Sequence, residues 1–164
     1  MNRIALVALL AAGACEQADL RAPLALRALD EPFFRCKVQP ILARTCAFSA
    51  CHGDERRFFR IYARNRLRKA DTPTMLNGLL TAEEQQANFE FARAVADPDD
   101  PDASLLLAKP LDRSTSGGRF HQGAVIFAGG DVFPATDDPD YRVLRAWIAG
   151  AVMDRSCVEP GSDL

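Results

Sequence analysis

Histidine is scarce in this sequence. Only two of the 164 residues are His, and no G-x-S-x-G segment accompanies them. Acid–base and nucleophilic enzymes draw on such groups, so no catalytic constellation is legible and the chain reads as a non-enzyme. Charge of one sign is also missing: the formal net charge is −2, which removes the electrostatic footprint of a nucleic-acid binder. The chain has no internal repeat and no low-complexity tract. Its longest apolar run, Ile4 to Ala12, is too short to cross a bilayer. Tryptophan and tyrosine are sparse, at one and two, but ten Phe provide the bulk for one modest core. Hydrophobic content of 48% and charged content of 26% are ordinary for a globular domain, and the length suits a single one.

The short apolar run has a positive start at Arg3 and small residues behind it, Gly13 and Ala14. That pattern is expected of a signal-peptide h-region over 1–14; a short buried helix is the alternative. The segment Leu10-Ala11-Ala12-Gly13-Ala14-Cys15 resembles a bacterial lipobox. The resemblance implies lipidation of Cys15 and a membrane anchor of acyl chains. Glu16, where inner-membrane retention would use Asp, implies export to the outer membrane, on its periplasmic side or its surface. Residues 15–32 are polar, Ala-rich and contain Pro23 and Pro32, as expected of a tether.

The five Cys stand at 15, 36, 46, 51 and 157. An odd number in an exported protein calls for a partition that leaves no thiol over. Lipid on Cys15 and a joint role for Cys46 and Cys51 leave Cys36 and Cys157 for a disulfide. Such a long loop closure contributes about 4–5 kcal/mol in the chain-entropy model. A buried free thiol at either position is the alternative.

The expected elements are helical. Phe33 to Arg44 reads as a short amphipathic helix that Pro40 should bend or restart. Thr81 and Glu84 form a capping-box pattern ahead of Phe89, Phe91, Ala92 and Val95, with an end near Asp97-Pro98. Ser104 to Ala108 reads as a short apolar turn, and 114–130 as a Gly-rich loop region. Asp138-Pro139 starts a last helix with Tyr141, Leu144, Trp147 and Ile148 on one face and Gly150 as a stop. The Arg-rich stretch 54–69 reads as neither helix nor strand with any preference. It reads either as a solvated face or as a contact surface for haem propionates or an acidic partner.

The strongest chemical signal is Cys46-Ala47-Phe48-Ser49-Ala50-Cys51-His52-Gly53. Covalent haem attachment ordinarily uses C-x-x-C-H, where two thiols add to the porphyrin vinyl groups and the adjacent imidazole ligates the iron. Four residues separate the thiols here. A local disulfide, a zinc site with His52 and a redox dithiol compete for the same residues.

Around that motif the chain resembles the cytochrome c-like domains of large bacterial families that open with Phe-x-x-x-Val-x-Pro-Ile-Leu. Phe34, Val38, Pro40, Ile41 and Leu42 match this entry. Asp102 to Leu111, then His121-Gln122-Gly123, then Asp138 to Tyr141, Leu144 and Trp147 to Ala151 follow in order. The resemblance covers nearly all of 33–152. It implies an all-α, small cytochrome c-like helical domain with long loops, placed at 33–158 with a tail at 159–164. Its first and last helices would cross, bringing Cys36 towards Cys157. Cys46 and Cys51 would hold one covalent haem c, with His52 as proximal ligand. His121, on the family's His-x-Gly block, would be the second ligand, with Met153 and Met75 as weaker alternatives; an exposed loop His is the plain reading of His121. The function implied is a monohaem electron carrier of the cell envelope, meeting a redox partner protein. Two other readings stand beside it: a haem peroxidase or small-ligand sensor with an open sixth position, and a haem-free, disulfide-stapled lipoprotein.

Overall fold

The computed structural model describes residues 28–70, 75–121 and 131–153. The expected signal peptide, Cys15, most of the expected tether, Cys157 and the expected tail lie outside these residues. Within them the chain is all-α, without strands; one isolated bridge pairs Leu111 with Phe133.

The first helix starts where an acceptor is available. The Asp30 carboxylate takes the Phe33 N–H at 2.6 Å, and Pro32 sits in the first turn, where a missing N–H leaves nothing unpaired. Helix α1, Glu31–Phe33, passes into a π-helical turn, Phe34–Val38, and then into α2, Gln39–Thr45. The junction residues Phe33, Phe34, Val38 and Gln39 all keep right-handed helical backbone, so 31–45 is one continuous helix. Pro40 explains the wide turn. It has no N–H, and its ring crowds the carbonyl four residues back. The chain relieves this by sending the Gln39 N–H back five residues to the Phe34 carbonyl. The expected restart at Pro40 therefore takes the form of a π turn. The helix also begins before residue 33. Leu29, expected on the tether, is buried in the core, and Asp30 caps the helix.

Helix α3, Ala82–Ala94, opens on the expected capping box: the Glu84 N–H donates to Thr81 Oγ1 and the Thr81 N–H to Glu84 Oε2. At its end the Val95 carbonyl accepts the Leu106 N–H and the Ser104 hydroxyl, which seats the short helix α4, Leu105–Ala108. Helix α5, Pro139–Ile148, is capped by Asp138, which accepts from the N–H groups of Asp140 and Tyr141. It closes in a Schellman arrangement: the Gly150 N–H reaches Trp147 O, the Ala151 N–H reaches Ala146 O, and Gly150 takes a φ of 96°.

Three aromatic rings join these helices. Phe34 lies 5.2 Å from Trp147 and 5.4 Å from Phe89, and Phe89 lies 6.1 Å from Trp147. Trp147 is wholly buried, and its indole N–H donates to the Asp30 carbonyl at 2.8 Å. At the opposite end Arg44 pairs with Asp140. The first and last helices thus pack against one another in antiparallel sense.

The Arg-rich stretch 54–69 forms turns rather than a helix, and most of its guanidinium groups satisfy loop carbonyls. Arg64 donates to Asn77 O and Arg66 to Ala43 O at the end of α2. Arg68 donates to the carbonyls of Met75, Gly78 and Leu79 and forms a two-pronged ion pair with Glu84. Beside them the Asn88 amide clamps Tyr62 through both its N–H and its C=O. Arg64, Arg66 and Arg68 thus act as staples to neighbouring carbonyls, while the solvated-face reading holds for the exposed Arg56 and Arg57.

The Arg68 and Glu84 side chains are 6% and 0% exposed. Burial pushes the Glu84 carboxyl up, but bonds from Arg68 and from the Lys69 and Thr81 N–H groups outweigh it and hold it below 4.5. A carboxyl held low contributes stability above its unfolded value and loses it as pH falls through the folded one. Glu84→Gln should lower stability by about 3 kcal/mol near neutral pH and remove part of the acid loss below pH ~4.5; urea midpoints across pH measure both. Trp147→Ala should lower stability by about 3–5 kcal/mol in the same assay at neutral pH.

Candidate functional site

The Cys-containing loop grows from the end of α2. Thr45 donates its hydroxyl to Ile41 O, and the Cys46 and Ala47 N–H groups both close on Leu42 O. The loop then coils on itself. The Cys51 and Gly53 N–H groups donate to Phe48 O, and the His52 N–H donates to Cys46 O at 3.0 Å. Four intervening residues thus make a hydrogen-bonded turn that returns His52 to the first Cys. Gly53 is required by this closeness: a Cβ there would lie 2.2 Å from the Ala47 oxygen. Arg66 lies over the Phe48 ring at 4.0 Å and covers the loop's outer side.

Cys46 and Cys51 are free thiols, Cys46 buried and Cys51 half-buried. Burial, reinforced by the neighbouring Cys51, pushes the Cys46 thiol up to about 11, against a lowering contact from the Thr45 hydroxyl. A thiol this reluctant to ionise does not fit a redox-active dithiol, which needs a low value. The local disulfide that competed with haem attachment for these two residues is not formed. Cys36, on the π-helical turn, is disulfide-bonded; its expected partner, Cys157, lies outside the described residues.

His52 is fixed on three sides. Its Nδ1 lies 2.8 Å from the Phe59 carbonyl, and the Phe59 ring stands edge-on at 4.7 Å. Its own carbonyl takes the Ile61 N–H at 2.7 Å. Burial lowers its proton affinity, and His121 and Arg57 add to this against the Phe59 carbonyl. The ring is therefore neutral at neutral pH. The Phe59 acceptor assigns the proton to Nδ1, so the Nε2 lone pair is free.

His121 arrives from the other side of the chain. The Arg119 N–H donates to Ala108 O, and the Lys109 ammonium donates to Phe120 O, which bends 119–121 back over α4. Segments 110–112 and 131–133 pair through Asp112 N–H to Phe133 O and Phe133 N–H to Pro110 O. That pairing places the Asp131 carboxylate 2.9 Å from His121 Nδ1. Both rings thus engage Nδ1 with an oxygen acceptor, which is the usual way a protein orients metal-binding imidazoles.

The two histidines of the chain face each other. Their ring centroids are 6.0 Å apart and their planes differ by 10°. Imidazoles bound through one nitrogen each to a shared metal at about 2 Å would have centroids roughly 6 Å apart. The 6.0 Å separation is of that length. Among the described residues no group of three or more His, Cys, Asp or Glu is placed to hold a bare ion. The residues at the site that could hold a metal-bearing group are the two imidazoles of His52 and His121 and the two thiols beside His52.

The Met alternatives lie elsewhere. Met75 is 77% exposed. The Met153 N–H bonds Asp30 at the start of the first helix, and Cys46 lies past the other end, about 20 Å away for a helix of this length. Asp131 was not legible as a site residue: an acid ten positions from a His carries no spacing signal. The Phe59 carbonyl is equally silent in sequence, since any residue supplies one. Comparison with known protein families, curated proteins and solved structures finds no match.

Gly53→Ala should force the Cys46–Gly53 turn open and cost about 1–3 kcal/mol, measured as a drop in the urea midpoint.

Proposed function

We propose that this chain is a single-haem c-type cytochrome that carries electrons in the cell envelope. The carrying observation is the parallel His52–His121 pair at 6.0 Å, each ring turned by a bond at Nδ1. In this reading Cys46 and Cys51 would hold the haem covalently through their sulfurs, and His52 and His121 would bind its iron. When bound, the haem supplies a one-electron couple.

The residues of the chain do the rest. Phe59 and Asp131 hold the imidazole tautomers, so neither ligand must turn when charge changes at the site. The buried loop around Ala47 and Cys46 and the Phe59 ring keep water from one side. No acid or base is called for, because the transfer needs only a fixed potential and an exposed edge. The domain is read as cytochrome c-like in fold, with the packed first and last helices in support. Cys15 would carry the lipid anchor and place the domain on the periplasmic side or the surface of the outer membrane, where a redox partner protein meets it. A peroxidase or small-ligand sensor needs an open sixth position. His121 facing His52 weighs against that reading.

The chain, expressed in a host that attaches haem to c-type cytochromes, should carry haem covalently through a denaturing gel. Its spectrum should be low-spin, and its reduced form should not bind carbon monoxide. His121→Ala should convert it to a form that does. A matured protein without covalent haem would overturn the proposal, and an unchanged low-spin spectrum in His121→Ala would remove His121 as ligand.

A further inference from the structure

The two imidazoles are not held alike. His52 Nδ1 faces a neutral backbone carbonyl, that of Phe59. His121 Nδ1 faces a carboxylate, that of Asp131, at 2.9 Å. Asp131 is 6% exposed as a residue and 2% exposed in its side chain. Its Oδ1 accepts from His121 and from the Val132 N–H, while its Oδ2 is buried with no hydrogen-bond partner among the described residues. A buried carboxylate oxygen left without donors is unfavourable unless another group gains from its charge. Here the near group is the His121 ring.

We propose that Asp131 is a positioning residue that makes His121 the stronger donor of the two axial ligands and thereby lowers the potential of the bound iron. The inference rests on the haem reading given above. A carboxylate at Nδ1–H raises the basicity of a metal-bound imidazole more than a neutral carbonyl does. The couple is one electron added to iron(III) to give iron(II), with no proton transferred. The oxidised site carries one more positive charge, so negative charge at the ligand favours it. Among the described residues the Asp131 carboxylate has one other donor, the Val132 N–H, so its charge acts mainly through His121. The backbone secures the geometry: the Asp131 N–H donates to Asp112 Oδ2, and its neighbour Val132 N–H closes on its own carboxylate. Asp131 touches His121 and not the reacting centre, so its effect is electronic and orienting.

The test uses the matured holoprotein and a redox titration followed by absorbance. In Asp131→Asn the iron(III)/iron(II) equilibrium should shift towards iron(II) by tenfold or more, which is about 59 mV for one electron. Asp131→Glu, keeping the charge, should return the potential towards that of the wild type. An iron(III)/iron(II) equilibrium within twofold of wild type in Asp131→Asn, with the low-spin two-imidazole spectrum intact, would overturn the inference and leave the cytochrome reading standing. If Asp131→Asn instead loses His121 from the iron, carbon monoxide binding will show it. Recovery of the low-spin state in Asp131→Glu then supports the positioning role, and no recovery overturns it. A matured protein without covalent haem fails at the earlier step and takes this inference with it.

Discussion

The buried pair of Arg68 and Glu84 is the interaction on which the irregular half of the molecule depends. Between Gly53 and Leu80 the described chain forms no helix, so its carbonyls lack helical partners; turn N–H groups take some of them and side chains take others. Arg68 supplies several at once, reaching Met75, Gly78 and Leu79, and Glu84 neutralises it. Glu84 also accepts from the Lys69 and Thr81 N–H groups. A single carboxylate therefore caps a helix, fixes a loop and compensates a buried cation. Desolvating two charges is expensive, and a pair of this kind contributes specificity of arrangement more readily than net stability. Here the arrangement is the placement of the segment that carries Phe59 and Ile61, and those two hold His52.

The two polar clamps on α3 work together in this. Glu84 and Asn88 lie one helical turn apart, and both are buried. One takes the loop by its guanidinium at Arg68, the other by its backbone at Tyr62. Phe89 follows on the neighbouring face, and its ring meets Phe34 and Trp147. Helix α3 is thus the piece that couples the aromatic core to the His52 loop.

What was legible in the sequence follows from how local each signal is. The capping box at Thr81 and Glu84, the Asp138 cap, the face of Tyr141, Leu144, Trp147 and Ile148, and the Gly150 stop all act within one or two turns. The π turn was only half legible: Pro40 announces a disturbance, but whether the chain kinks or widens depends on what packs against Phe34. The arginines show the opposite limit. Periodicity places charge on a surface by default, and nothing local says that Arg66 will close on α2 or Arg68 on α3. At the site, His52 was marked by the adjacent thiols, and His121 by being the one other imidazole near a resembled motif. Their acceptors, Phe59 O and Asp131, were beyond reach, because one is backbone and the other joins through the pairing of 110–112 with 131–133.

That pairing shows how the site's spacing is set. Each histidine sits on an irregular segment, and each segment is tied to a different helix. The His52 loop hangs on α3 through Asn88 and Glu84. The His121 side is tied to α5 through Phe133, whose ring meets Tyr141 at 5.9 Å, and to α4 through Ala108. Helices α3 and α5 meet at Phe89 and Trp147. The distance between the imidazoles is therefore a property of the aromatic core, carried outwards by side-chain bonds. Close-packed interiors transmit displacement rather than absorb it. A change at the Trp147 contact would reach both rings, although that residue makes no bond to either.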